Sequence, residues 1–91
     1  MAVTIRIPTQ LRALAGGASE VPVEAATVND ALKALNDQHP GFDERLFDEK
    51  GELRRFVNVF VADEDIRFMQ GVDTPLDDGT VVSIIPAVAG G

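Results

Sequence analysis

The stretch Pro86-Ala87-Val88-Ala89-Gly90-Gly91 offers one reactive group, the carboxylate of Gly91. Nothing after Pro86 carries a charged or hydrogen-bonding side chain, and Val88 is the only sizeable group. Two residues without Cβ reach conformations closed to others and can thread a channel with backbone close on every side. A carboxylate is a poor electrophile and needs activation before a nucleophile can attack it. Adenylation by a partner enzyme would supply the leaving group, and a sulfur nucleophile would then leave a C-terminal thiocarboxylate. With no residue after Gly91, no proteolytic unmasking is expected.

The other candidates lead to blander chemistry. His39 is the only histidine, which excludes a histidine-rich metal site, and it stands at an expected helix end. There the helix dipole favours a cationic side chain without any catalytic role. Asp63-Glu64-Asp65 resembles the opening of a calcium loop, but Phe68 occupies the sixth position, where an EF-hand needs glycine. Gly16-Gly17 is followed by no Gly-Lys-Ser/Thr and so is no phosphate loop. No paired-carboxylate site stands apart from ordinary surface acid. The chain is therefore expected to be a substrate of other enzymes, with no intrinsic catalytic residue and no metal site.

Composition narrows the setting. Ninety-one residues support one hydrophobic core, and a chain this short buries only about 60% of its unfolded surface. A roomy internal active site is disfavoured, and chemistry is expected at an edge. The absence of cysteine removes disulfides, thiolate nucleophiles and cysteine-ligated metal. Fifteen acids against eight bases, a net charge of −7, argue against nucleic acid and for a partner with a basic face. The opening "MAVTIRIP" lacks the long apolar run of a signal peptide or membrane span, so a cytoplasmic location and no membrane are expected.

The elements that must present the terminus can be read from periodicity. Val3, Ile5 and Ile7 alternate with polar residues as a strand buried on one face. "SEVPVE" gives a second, placed at an edge by Pro22, and the two should form a hairpin across the Gly16-Gly17 turn. Thr27 and Asp30 fit a capping box, with Val28, Ala31, Leu32 and Leu35 forming one apolar helix face behind it. "HPG" at 39–41 stops that helix. "FDERLF" predicts one more helical turn, and "DEKGE" an exposed loop. "LRRFVNVFV", residues 53–61, is the strongest strand signal. "ADED" turns it, "IRF" makes a short return strand, and Asp78-Gly79 turns into the last strand, "VVSIIP". The class is α+β, a mostly antiparallel sheet covered on one face by a helix, with the last strand beside the first. Pro86 would end that strand's pairing and leave residues 87–91 as a free arm.

"RFVNVFVADEDIRF", "LDDGTVVSIIPAVAGG" and the Gly90-Gly91 end resemble the sulfur-carrier proteins of the ThiS/MoaD family. That resemblance covers the whole chain and is most specific for the branch serving cysteine biosynthesis. It implies a ubiquitin-like β-grasp fold: a mixed sheet with one main helix packed on one face (residues 1–86) and a flexible C-terminal tail (87–91). It further implies adenylation of Gly91 by a MoeB/ThiF-type enzyme and recognition of the tail through Gly90, Ala89 and Val88. Sulfur would pass to a PLP-dependent cysteine-synthase-like acceptor, and a JAMM-type zinc peptidase would act on the product. ATP, PLP and zinc belong to those partners and none is expected on this chain. Relatives with nearly the same tail feed thiamin, thiosugar or molybdopterin synthesis, the last as a small synthase subunit, and ubiquitin-like modifiers share the fold. Those alternatives stay open.

A second expectation concerns docking. If Val57, Val59 and Val61 face the helix, period-two geometry turns Phe56, Asn58 and Phe60 to the opposite face. Phe56 and Phe60, joined by Phe68, would then form an apolar patch for a partner. The alternative is that these rings cover the sheet edge or enter the core in the reversed register.

Overall fold

The computed structural model describes residues 1–55 and 57–86. Gly91, Gly90, Ala89 and Val88, the expected reactive tail, lie outside the described residues, as does Phe56.

Five strands form one mixed sheet: Ala2–Arg6 (β1), Glu20–Glu24 (β2), Val57–Val61 (β3), Glu64–Asp65 (β4) and Val81–Pro86 (β5), in the order β2-β1-β5-β3-β4. β1 pairs antiparallel with β2, Thr4 facing Pro22, so the proline sits on an outer strand as its missing N–H requires. β5 lies centrally, parallel to β1 (Thr4 beside Val81) and antiparallel to β3 (Val57 beside Pro86). This is the β-grasp arrangement the sequence led one to expect, with the final strand beside the first.

Alternation along each strand sends Val3, Ile5, Val21, Val23, Val57, Val59, Val61, Val82 and Ile84 to one face, all buried. The helix Val28–Gln38 (α1) lies against that face through Val28, Ala31, Leu32 and Leu35, each at most 1% exposed. Truncating a side chain so enclosed, as in Leu32→Ala, typically costs about 2–5 kcal/mol. α1 starts as expected at Thr27, whose Oγ1 accepts the Asp30 N–H at 3.2 Å. The described hydrogen bonds include no return bond from the Asp30 carboxylate, which is one methylene shorter than the glutamate of a full capping box.

α1 also sets up its successor, Phe42–Leu46 (α2). Asn36 Oδ1 accepts the N–H groups of Gly41 (3.2 Å) and Asp43 (2.9 Å), filling free donors at the α2 start that Gly41 cannot cap itself. Gly41 has φ +114°, and a Cβ there would stand 3.2 Å from Leu14 Cδ2. The positive φ is what calls for glycine, and the near contact with a Leu14 methyl adds to it. Phe42 and Leu46 then enter the core beneath α1.

Three expectations are corrected. The segment Thr9–Ala15, which the reading of a hairpin across Gly16-Gly17 gave no structure of its own, is a 3₁₀ helix that buries Leu11 and Ala15. The strand expected over 53–61 is regular only from Val57, because the backbone before it bonds elsewhere: Leu53 bridges Phe47, and the Arg54 N–H donates to Leu46 O at 2.9 Å. "IRF" is a 3₁₀ turn, Ile66–Phe68, and the return strand is Glu64–Asp65. The Asp65 carboxylate accepts the Arg67 N–H at 2.8 Å and holds the chain in that turn instead of letting it run on extended.

Candidate functional site

β5 carries the chain toward Gly91, and its entry is firmly held. At its start Gly79, φ +84°, donates its N–H to Ala2 O at 2.7 Å, while Asp78 Oδ1 accepts the Ala2 N–H at 2.8 Å. β5 pairs with β1 from Val81 to Ser83 and with β3 from Val82 to Pro86, the last beside Val57. The first half of β5 is thus held between two strands, and the residues that lead into the tail are held by β3 alone.

The sheet face away from α1 is left open. By register it carries Asn58 and Phe60 of β3 beside Ile85 and Ser83 of β5, with Thr4 and Arg6 of β1 beyond them. Phe60 is half-buried, whereas Ile85 is 48% and Val81 37% exposed. The valines of β3 point inward, so Phe60 occupies the open face as the alternation requires. Phe68 is elsewhere: it projects from the 3₁₀ turn beyond β4 and is 84% exposed, so it flanks the sheet and takes no place in the strand ladder.

Two features of this face escaped the sequence reading. Ile85 and Val81 follow from the alternation within "VVSIIP" once Val82 and Ile84 are known to be buried. Arg67 had no periodic signal. Its Nη1 donates to Asn58 Oδ1 at 2.9 Å and its Nη2 to Arg55 O at 3.0 Å and Val57 O at 3.2 Å. Because β4 pairs only with Phe60 and Val61, this side chain supplies donors where the ladder beside β3 has stopped.

Beside the end of β5 lies a cleft of about 510 Å³, walled by Arg6, Arg12, Ser83 and Pro86. Arg6 Nε stands 3.8 Å from Glu20 Oε2, and Arg12 Nε donates to Ile7 O at 3.1 Å.

The remaining sequence candidates are structural. His39 ends α1, its N–H donating to Leu35 O at 2.8 Å. Gly16 and Gly17 close the 3₁₀ helix through bonds to Ala13 O and Arg12 O. Asp63 and Glu64 belong to the β3–β4 hairpin, and among the described residues no three His, Asp or Glu side chains are grouped to hold a metal ion. No helix among them is long and apolar enough to cross a membrane. What the arrangement can do is present: a central strand, an open face beside it and a cleft at its end lined by two arginines and Glu20.

The comparisons with known proteins agree with one another. A model of the ThiS family matches residues 5–91. The sulfur carrier protein CysO of Mycobacterium tuberculosis is 45% identical over 93 residues, which is 100% of each chain. A chain in the crystal structure of the Amycolatopsis orientalis BexX/CysO complex superposes with a TM-score of 0.92 at 44% identity, covering 99% of this chain and 100% of that one. The crystal structure of M. tuberculosis CysO gives 0.89 at 43% identity over 94% and 99% of the two chains.

Proposed function

The chain belongs to the ThiS family, and from that premise we propose that it is a sulfur carrier acting through the carboxylate of Gly91. The observation that carries the reading is the full-length match to a sulfur carrier protein, 45% identical across 100% of both chains. A MoeB/ThiF-type enzyme joins the Gly91 carboxylate to the α-phosphate of ATP and releases pyrophosphate. A sulfide-level nucleophile then attacks the acyl carbon, AMP leaves, and the tail ends in a thiocarboxylate.

The chain's own part is to deliver that end. β5, paired with β1 to Ser83 and with β3 to Pro86, fixes the point at which the chain leaves the sheet. Gly90, Ala89 and Val88 offer little bulk to a partner's channel, and the open face with Phe60 supplies docking area, flanked by Phe68. The sulfur goes to a PLP-dependent acceptor of the cysteine-synthase type, and a JAMM-type zinc peptidase frees the product. This assignment rests on the similarity to CysO. ATP, PLP and zinc act on the partners, and this chain works as their protein co-substrate.

Intact-mass spectrometry tests it. After incubation with an activating enzyme of this type from the same organism, ATP and a sulfide source, the protein is expected to gain the mass difference between sulfur and oxygen. Deleting Gly91 is expected to abolish the gain. No gain in the full chain, with an activating enzyme shown to be active on another carrier, would overturn the reading.

A further inference from the structure

The charges of this acidic chain are not spread evenly over the open face and its two ends. Where β5 starts, the turns hold Asp63, Asp77 and Asp78, with Asp63 and Gly79 walling one shallow depression that Arg6 closes on the side toward Ser83. Where β5 ends, Arg6 and Arg12 line the cleft beside Pro86, with Glu20 as the one acid among its lining residues. Arg67 reaches the carbonyls of Arg55 and Val57, the latter being the residue paired with Pro86, and Arg55 itself is exposed there. Four of the six arginines in a chain of net charge −7 thus gather where β5 ends.

We propose that this arginine collar is a docking and steering element that fits an acidic rim on a protein partner, around the opening that receives the tail. The inference rests on the carrier reading above and assigns the partner surface its charge. A net negative molecule approaching an acidic rim is repelled on average, but a molecule polarised along β5 is turned by the same field so that its arginine end leads. Complementary patches of this kind act mainly on association rate and orientation, and salt screens them. Arginine suits the task because its fork pairs with carboxylates bidentately. The acidic overall charge, which suggested a basic partner face, is therefore misleading at the one end that matters.

Arg6 and Arg55 are the residues to change, because Arg12 and Arg67 also hold backbone carbonyls. The experiment follows carrier-dependent ATP–pyrophosphate exchange by the MoeB/ThiF-type enzyme of the same organism as the carrier concentration and salt are varied. In about 0.05 M salt, Arg6→Gln/Arg55→Gln is expected to lower kcat/KM about tenfold with kcat at saturation unchanged, and in about 0.5 M salt the difference should vanish. Lys33→Gln, a control on the exposed side of α1, should match the wild type at both. Glu20→Gln, which removes the acid facing Arg6, should raise kcat/KM at low salt, a gain that misfolding cannot mimic. A double variant as efficient as the wild type, a Lys33→Gln variant reduced as much per charge, or a Glu20→Gln variant that gains nothing would overturn the collar while leaving the carrier reading intact. A wild-type chain that supports no exchange at either salt would overturn both.

Discussion

Replacing Phe60 by aspartate would set a charge into the half-buried middle of the open face, with Asp65 on one neighbouring strand and Ser83 on the other. If that face docks the activating enzyme, Phe60→Asp is expected to raise KM about tenfold or more, roughly 1.4 kcal/mol, while circular dichroism shows the fold intact. A folded variant adenylated at the wild-type KM would remove Phe60 from the interface. Thr74 tests the core in the same way. It is the buried polar residue of the described chain, 1% exposed, with Oγ1 donating to Gly71 O at 2.7 Å and accepting the Gln70 N–H at 3.1 Å. Its own carbonyl accepts the Val28 N–H at the start of α1. Thr74→Val keeps the volume but leaves the Gln70 N–H without its acceptor and Gly71 O with only the Thr74 N–H, so unfolding in urea should show a loss of about 1–3 kcal/mol. A midpoint shift near zero would mean that the 70–74 turn relaxes to water without cost.

Among the elements, the β3–β4 hairpin carries the most local strain. Its two-residue turn is Ala62-Asp63, with φ +50° and +73°, the conformation of a type I′ turn that asparagine and glycine adopt more readily. Ala62→Asn/Asp63→Gly is expected to stabilise the domain by about 1 kcal/mol, or about 4–8 °C in Tm for a chain of this size, measured by thermal melting. An unchanged Tm would show the strain to be negligible. This hairpin also marks where the sequence was readable. The turn at 62–63, the strands with strict alternation and the helix face at Val28, Ala31, Leu32 and Leu35 all follow from period and turn chemistry, because burial of one face imposes them. The start of β3 and the fate of "IRF" do not follow. Leu53 and Arg54 have the strand-like neighbours that suggest an earlier start, yet their backbone groups are taken by Phe47 and Leu46, partners known only once the chain has folded. Asp65 has the same effect on the residues after it. Gly91 was legible as a chemical group from the sequence, whereas the collar formed by Arg6, Arg12, Arg55 and Arg67 draws on two stretches far apart in the chain and exists only through the β1–β5 and β3–β5 pairings.

Across the whole molecule, both flanks of the sheet are finished so that copies do not add to them. Pro22 withholds a donor on the outer strand β2, and beyond the two residues of β4 the Arg67 guanidinium occupies the carbonyls of Arg55 and Val57. Arg67→Ala is expected both to lower stability and to make self-association concentration-dependent, which sedimentation velocity over a range of concentrations would reveal. A variant that stays monomeric throughout would show that the edge needs no cover. The central place of β5 has a different consequence, for synthesis. A nascent chain halted before Val81 holds two separate hairpin pieces, β1–β2 and β3–β4, that no other strand joins. The sheet closes only when the last strand to leave the ribosome slides between them. Fragments that end before Val81 lack the strand that joins the two halves of the sheet, so the segment just ahead of the reactive end is also the one that completes the fold.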